Sequence, residues 1–544
     1  VAPFLSLRNL LRSRRALAPY VWVDLRGRID ELPSPGGRAA ALQARLGIGG
    51  ESSISVHALR GMFERLAGDR RVRGVVLRLD CEAFPAVYES LRTEIQRLRA
   101  AGRRVIAYAE SLQPFQYYLA CACDAIVMPP SAEWGVVGVA GEYLFFKDLL
   151  ARLGIGVDVV HVSPYKSAGD SWARDGFSPE ARAQAESLLD ARFGELVRGI
   201  ADGRGMSQEQ VRRWIDEAPL GAREAQEAGL IDAALYEDEL ESWLAPPPAV
   251  AEPGPRRWLR RTSPPPPTPP TTTTLAAWRD VEKSLRIPLV RPHPRCIGVV
   301  EVDGMIVRGQ GMRSPIPLPI LGGSSAGAAS VVQALRRAER DESVAAVLLF
   351  VNSSGGDALA SDLIAREVRR VGEKKPVVAY FSGVAASGGY YVAAPARWIV
   401  AQSQTITGSI GVISMKPHTR GAFEKLQVHR ESIARGANAL LYSLADPLDD
   451  RSRAALERGM RRTYDEFKAV VAAGRRLPND DALEEICGGR VWTGAQAQER
   501  GLVDELGGFD VALRAAAAQA GLADDARRVL WRRITPGRQA LLPR

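Results

Sequence analysis

Short apolar runs alternate with longer amphipathic stretches through most of this chain. In the second half, CIGVVEVDGMIV and VAAVLLFVN are rich in β-branched residues, and the turn residues around them predict two strands. Between them ASVVQALRRAERD repeats its apolar positions every three or four residues, which predicts a helix. KPVVAYF predicts the next strand. Strands that alternate with amphipathic helices imply an α/β fold with crossover connections. After Pro447 the polar stretch DDRSRAALERGMRRTYDEFKAVVAAGRR predicts a long helix at the surface or at an oligomer contact.

The pattern is interrupted once. Residues 246–274 hold PPPAVAEPG and then SPPPPTPPTTTT, a polyproline-type spacer without a core of its own. The halves on either side resemble each other. GVVLRLDCEAF aligns with AVLLFVNSSGG at a shift of 272 (74 to 346), and Tyr117 aligns with Tyr390 at 273 (117 to 390). GVVGV at Gly135 matches GSIGV at Gly408, and AQEAGLID matches AQERGLVD. A near-constant offset points to an internal duplication. The expected organisation is a basic N-terminal segment (1–19), an N-terminal repeat (20–245), a Pro/Thr-rich linker (246–284), a C-terminal repeat (285–530) and a tail (531–544).

Composition narrows the function classes. The 544 residues are 46% hydrophobic and 25% charged, which excludes a mainly disordered or collagenous chain. The net charge of +9 is thin for this length and argues for acidic partners or an anionic membrane surface at most, not for nucleic acid. Five scattered cysteines form no disulfide framework, and Cys121 with Cys123 lacks the second pair or histidine of a metal site. They read as small buried apolar residues. Three stretches of about 20 residues lack charge (314–335, 376–396 and 398–415), but Gly, Ser, Thr and Pro stud them, so no transmembrane helix is expected. Phe4, Leu7, Leu10, Leu11 and Leu17, interleaved with Arg8, Arg12, Arg14 and Arg15, suit a short amphipathic helix on a membrane surface or a frayed terminus.

Candidate chemistry lies at strand ends. VAAVLLFVN runs into Asn352-Ser353-Ser354-Gly355-Gly356-Asp357, where two glycines let the backbone aim N–H groups into a cleft, as an oxyanion hole requires. VVAYF runs into SGVAASGGYY, which sets Ser387 among small residues at a strand-to-helix corner, as a nucleophile needs. A Ser…Asp/Glu…His order is poorly served, since only His418 and His429 follow Ser387, with Glu424 the sole acid between Ser387 and His429. A lysine base is the other option; its amine must be neutral to accept a proton, which arginine never is. Of the 72 Lys and Arg residues only eight are Lys, so each is informative. Lys147 sits in a helical pattern, whereas Lys166 follows the apolar run GVDVVHV, where a side chain can enter a cleft.

These pieces together resemble the long, duplicated form of the signal peptide peptidase A family, peptidase family S49, whose members are Ser–Lys proteases with a ClpP/crotonase-like fold. PYKSAGD in the N-half, NSSGGD, SGVAASGGYY and TGSIGV in the C-half, and an AQE-x-GL-[IV]-D element ending both halves carry the likeness over roughly residues 20–530. The resemblance implies two tandem ClpP/crotonase-like α/β repeats in one chain, with helical extensions. It implies Ser387 as nucleophile, Lys166 as general base and Ser409 as the residue that orients the lysine. Gly356 and Gly388 are the oxyanion-hole candidates. The duplication agrees: opposite Ser387 stands Pro114, opposite Ser409 Val136, and opposite Gly355 and Gly356 stand Ala83 and Phe84. The counterpart of Lys166 falls in 432–439, where Arg435 is the only cation. One composite site per chain is therefore expected, with no metal and no cofactor. The resemblance further implies cleaved signal peptides and other apolar unfolded peptides as substrates, a homotetramer, and association with a bacterial inner membrane. The uncharged PIPLPILGGSSAGAA (315–329) reads as an apolar lip near the cleft or a surface loop. Two other readings compete: a catalytically silent peptide-binding scaffold, and an acyl-CoA enzyme of crotonase-like fold with Asp357 as its carboxylate.

Overall fold

The structure, a computed structural model, describes residues 9–10, 12, 15–33, 54–245, 273–287, 291–312, 324–477, 481–522 and 528–536. Most of the basic N-terminal segment and of the Pro/Thr-rich linker lies outside these residues, as do 315–323 of the apolar lip and 537–544 of the tail. The chain forms two compact units: Val1–Gly138 with Gly194–Leu289, and Val139–Phe193 with Val290–Arg544. The first unit is built on a six-stranded parallel sheet in the order Leu275–Ala277, Tyr20–Arg28, Gly74–Glu82, Arg104–Tyr108, Ala125–Met128, Ala233–Ala234. The helix Val56–Ala67 buries Val56, Leu59, Phe63 and Leu66, the helical spacing of one apolar face, and Ser55 caps its N-terminus.

The second unit repeats this plan. Cys296–Asp303, Val344–Ser353, Val377–Ala386 and Trp398–Ala401 run parallel in that order, with Trp531–Arg533 outside the first and Glu505–Leu506 beside the last. Val344–Ser353 is buried along almost its whole length, as expected of a strand covered on both faces. Its apolar side chains join those of the helices Ala328–Arg340 and Ala358–Gly372 in one core with Tyr390, Tyr464 and Trp492. The polar stretch after Pro447 forms the helix Asp450–Arg475, capped by Asp449. The chain is thus two tandem α/β repeats with helical extensions, as the alternating pattern and the duplication imply.

One strand runs further than its apolar pattern. VVAYF is the start of Val377–Ala386, which continues through the small residues after it. Its first part pairs with Val344–Ser353 and Trp398–Ala401; the register then shifts between Val351 and Ser353, and its last residues pair with Ile406–Gly408. The first unit makes the same bend with two separate strands, Arg104–Tyr108 and Ser111–Leu112. This bend ends the strand at Ser387.

The segment of the N-half that carries Lys166 belongs to the second unit. Its strand Gly156–His161 pairs antiparallel with Ile413–His418, with His161 opposite Ile413. The five cysteines are unpaired and all but Cys296 are buried, in keeping with their reading as small apolar residues. Among the described residues no helix is long and apolar enough to cross a membrane.

Candidate active site

Ser387 occupies the corner between Val377–Ala386 and the helix Gly388–Ala393, with φ 54° and ψ −121°. Backbone of this sign is rare for a residue with a Cβ and costs on the order of 1–3 kcal/mol, so the surroundings must impose it. Ser387 N donates to Gly408 O at 2.8 Å, and Tyr391 N donates to Ser387 O at 2.9 Å. The Gly355–Gly356 turn packs against the same corner. Gly355 has φ +107°, and a Cβ there would stand 2.7 Å from Gly388 N and 2.8 Å from Ser387 Cβ. A side chain on Gly388 would meet Ser361 Oγ at 2.5 Å and Gly356 N at 3.2 Å. The N–H groups of Gly356 and Gly388 are therefore close neighbours, and neither donates to a protein acceptor among the described residues. For Gly388 this follows from its place in the first turn of a helix, where N–H groups have no partner within the helix.

Lys166 reaches Ser387 from a loop just after Gly156–His161. Its Nζ lies 2.9 Å from Ser387 Oγ, 2.6 Å from Ser409 O and 2.9 Å from Ser409 Oγ. Ser409 also has positive φ, 52°, and its N–H donates to Arg490 O at 2.7 Å. The end of Ile406–Gly408 thus sets both partners: Gly408 O holds the Ser387 backbone, and the next residue holds the lysine.

Burial decides the state of the amine. Lys166 is 4% exposed, and among the described residues no carboxylate is hydrogen-bonded to it. Desolvation alone pushes its pKa down from 10.5 to about 7. A neutral amine has two hydrogens and one lone pair. With the hydrogens on Ser409 O and Ser409 Oγ, the lone pair is left for the Ser387 hydroxyl proton. The arrangement can deprotonate a serine beside two free backbone donors.

The sequence candidates Ser387, Lys166, Ser409, Gly356 and Gly388 all come together here, within the second unit. Asp357 is taken up elsewhere: its carboxylate accepts from Ala360 N at 2.9 Å as a helix cap and from Arg308 Nε at 2.9 Å. The only side chain hydrogen-bonded to Ser387 among the described residues is Lys166, not a histidine. Sequence reasoning missed the turn Gly488-Gly489-Arg490, which lies against the lysine loop, and it missed the part of the Ser409 carbonyl. The only available signal for the turn was a glycine pair without counterpart in the N-half.

The sequence model of peptidase family S49 matches residues 97–249 and 369–523, once in each half. A chloroplastic serine protease SPPA of Arabidopsis thaliana is 30% identical over 512 residues, covering 93% of this chain and 72% of that protein. Protease 4 of Haemophilus influenzae is 30% identical, covering 84% of this chain and 71% of its own. Protease 4 of Salmonella typhi is 28% identical, covering 96% of this chain and 82% of its own. Among solved structures, the 1510-N membrane-bound stomatin-specific protease covers 45% of this chain and all of its own at 14% identity and a TM-score of 0.28, too slight a likeness to argue from.

Proposed function

The chain belongs to peptidase family S49 and is a serine peptidase of that family, and we propose that it works through a Ser–Lys dyad formed by Ser387 and Lys166. In this reading Ser387 Oγ attacks the scissile carbonyl while its proton passes to Lys166 Nζ. The Gly356 and Gly388 N–H groups receive the oxyanion, and the lysine returns the proton to the leaving amine. The same amine then activates the water that hydrolyses the acyl-enzyme. Ser409 orients the base by accepting from it through both oxygens. The observation that carries the reading is the 2.9 Å approach of an almost fully buried lysine, its pKa pushed down to about 7, to a serine of strained backbone.

Signal peptides released from precursors and other apolar unfolded peptides are the proposed substrates, cleaved by a homotetramer on or near a membrane surface. The expectation rests on kinship with the SPPA and Protease 4 proteins. An acyl-CoA reaction is disfavoured because Asp357, its one nominal carboxylate, is committed to a helix cap and an ion pair. A silent scaffold leaves a costly buried amine without purpose.

The test is hydrolysis of a fluorogenic apolar leader peptide by wild type, Ser387→Ala and Lys166→Arg, with folding checked by circular dichroism. Cleavage by wild type alone supports the dyad. Equal cleavage by folded Lys166→Arg removes the lysine as base, and no cleavage by any of the three favours a scaffold.

A further inference from the structure

The loop that carries Lys166 is held from behind by a turn that plays no part in the chemistry above. Tyr165 N donates to Gly488 O at 3.2 Å, Gly489 N to Ile410 O at 2.8 Å and Ser409 N to Arg490 O at 2.7 Å. The turn is thereby tied to the residue before Lys166 and to Ser409, whose oxygens hold the amine. Gly489 has φ +79°, and a Cβ on it would stand 2.6 Å from Lys166 N and 2.8 Å from Lys166 Cβ, so only glycine permits this approach. The Arg490 guanidinium lies between two rings, 5.0 Å from the centroid of Tyr165 and 4.6 Å from that of Trp492. Trp492 is buried and anchored by Nε1 donating to Ile486 O at 2.9 Å. A cavity of about 670 Å³ is lined by Tyr165, Gly488, Arg490 and Trp492, together with the charged Glu484, Glu485, Glu499 and Arg500, but not by Lys166; the Arg500 guanidinium also lies 3.9 Å from the Trp492 centroid. Pro164 and Tyr165 of the lysine's own loop thus line that space, and Arg490 stacks on the Tyr165 ring beside it.

The internal duplication isolates this feature. Trp492 pairs with Thr407, and its counterpart Leu220 pairs with Trp134, a shift of 272 (220 to 492). Gly488, Gly489 and Arg490 thus correspond to Asp216, Glu217 and Ala218. The repeat without a serine at the corner has neither the glycines, the arginine nor the indole. The strand pairing alone does not require them, because Leu220–Gly221 makes it without them.

We infer that the 488–490 turn is a clamp on the lysine's loop, and that Arg490 is a positioning residue acting through Tyr165 and Ser409 to seat Lys166 and shield it from water. The inference rests on Lys166 being the base. Without the stack, water reaches the loop and the amine is better hydrated, which favours its charged form. Activity is then lost at neutral pH and regained in alkali. A purely structural defect lowers activity at every pH.

Peptide hydrolysis by wild type, Arg490→Ala, Arg490→Lys and Gly489→Ala tests this from about pH 6 to about pH 10, with Lys166→Arg and Asp216→Ala alongside. Expected for Arg490→Ala is an acidic limb displaced upward, kcat near neutrality falling about tenfold for each pH unit of displacement, and recovery toward wild type in alkali. KM stays within about twofold, since the arginine acts on the base and not on substrate. Arg490→Lys restores part of the loss, and Asp216→Ala matches wild type. An unmoved limb in Arg490→Ala, a change confined to KM, or an equal displacement in Asp216→Ala overturns the inference. If Gly489→Ala fails to fold, Arg490→Ala decides. Full activity in Lys166→Arg instead overturns the dyad itself, and is distinguished because it appears in a variant with the clamp intact.

Discussion

Replacing Lys166 by Met removes a buried amine and keeps a side chain of similar length, so the cost of burying the amine becomes measurable. In the folded chain the pKa is pushed down to about 7 by desolvation, against 10.5 when unfolded. At 1.36 kcal/mol per unit this gap corresponds to about 5 kcal/mol. Between those values the unfolded chain binds a proton that the native chain does not, so wild-type stability rises with pH across that window. Below about pH 7 both states are protonated, and the native state bears the whole cost. Lys166→Met has no such group and lacks this dependence. The variant also loses three hydrogen bonds, to Ser387 Oγ, Ser409 O and Ser409 Oγ, together about 3 kcal/mol and nearly independent of pH. It is therefore expected to be more stable than wild type by about 2 kcal/mol near pH 6 and less stable by about 3 kcal/mol near pH 10.5. The change of sign is the signature. Urea unfolding read by pulsed hydrogen exchange in Val344–Ser353 and Val377–Ala386 confines the measurement to the second unit, which two-state treatment of a two-unit chain otherwise obscures. A stability difference that stays constant from acid to alkali would refute the depressed pKa, and with it a lysine able to serve as base at neutral pH.

Other consequences follow from the same geometry. Ser409→Ala removes one of two acceptors that orient the amine and is expected to lower kcat about tenfold with little change in KM, as steady-state kinetics will read. Ser387→Gly abolishes cleavage and, by relieving the positive φ, raises the stability of the second unit by about 1 kcal/mol in urea titrations. Asp357→Ala loses a helix cap and costs about 1 kcal/mol of stability, while peptide cleavage survives; abolished cleavage with an intact fold would return the carboxylate to the site.

Much of the site is local and therefore legible. Small residues between an apolar strand and a double tyrosine mark the Ser387 corner because the backbone there allows little else. The two glycines after Asn352 mark a close approach for the same reason. The scarcity of lysine in an arginine-rich chain singles out Lys166, since only one of those cations can lose a proton. The register shift that carries Val377–Ala386 from one neighbour to another leaves no comparable mark, because it is set by what each part of the strand meets across the sheet. The 488–490 turn is equally silent: a Gly-Gly pair has many uses, and its partners, Tyr165 and Lys166, lie more than 300 residues earlier in the chain.

By itself, then, the chain's pattern determines the elements, the duplication and the residue types able to do the chemistry, because periodicity, turn chemistry and protonation are properties of short segments. Tertiary structure decides how those segments meet. The pairing of Gly156–His161 with Ile413–His418 places residues 139–193 in the second unit and sets Lys166 beside a serine 221 positions away. Burial decides the protonation state as well. A lysine in PYKSAGD is an ordinary cation until the fold takes water from it, and desolvation exists only once the surrounding loops have closed.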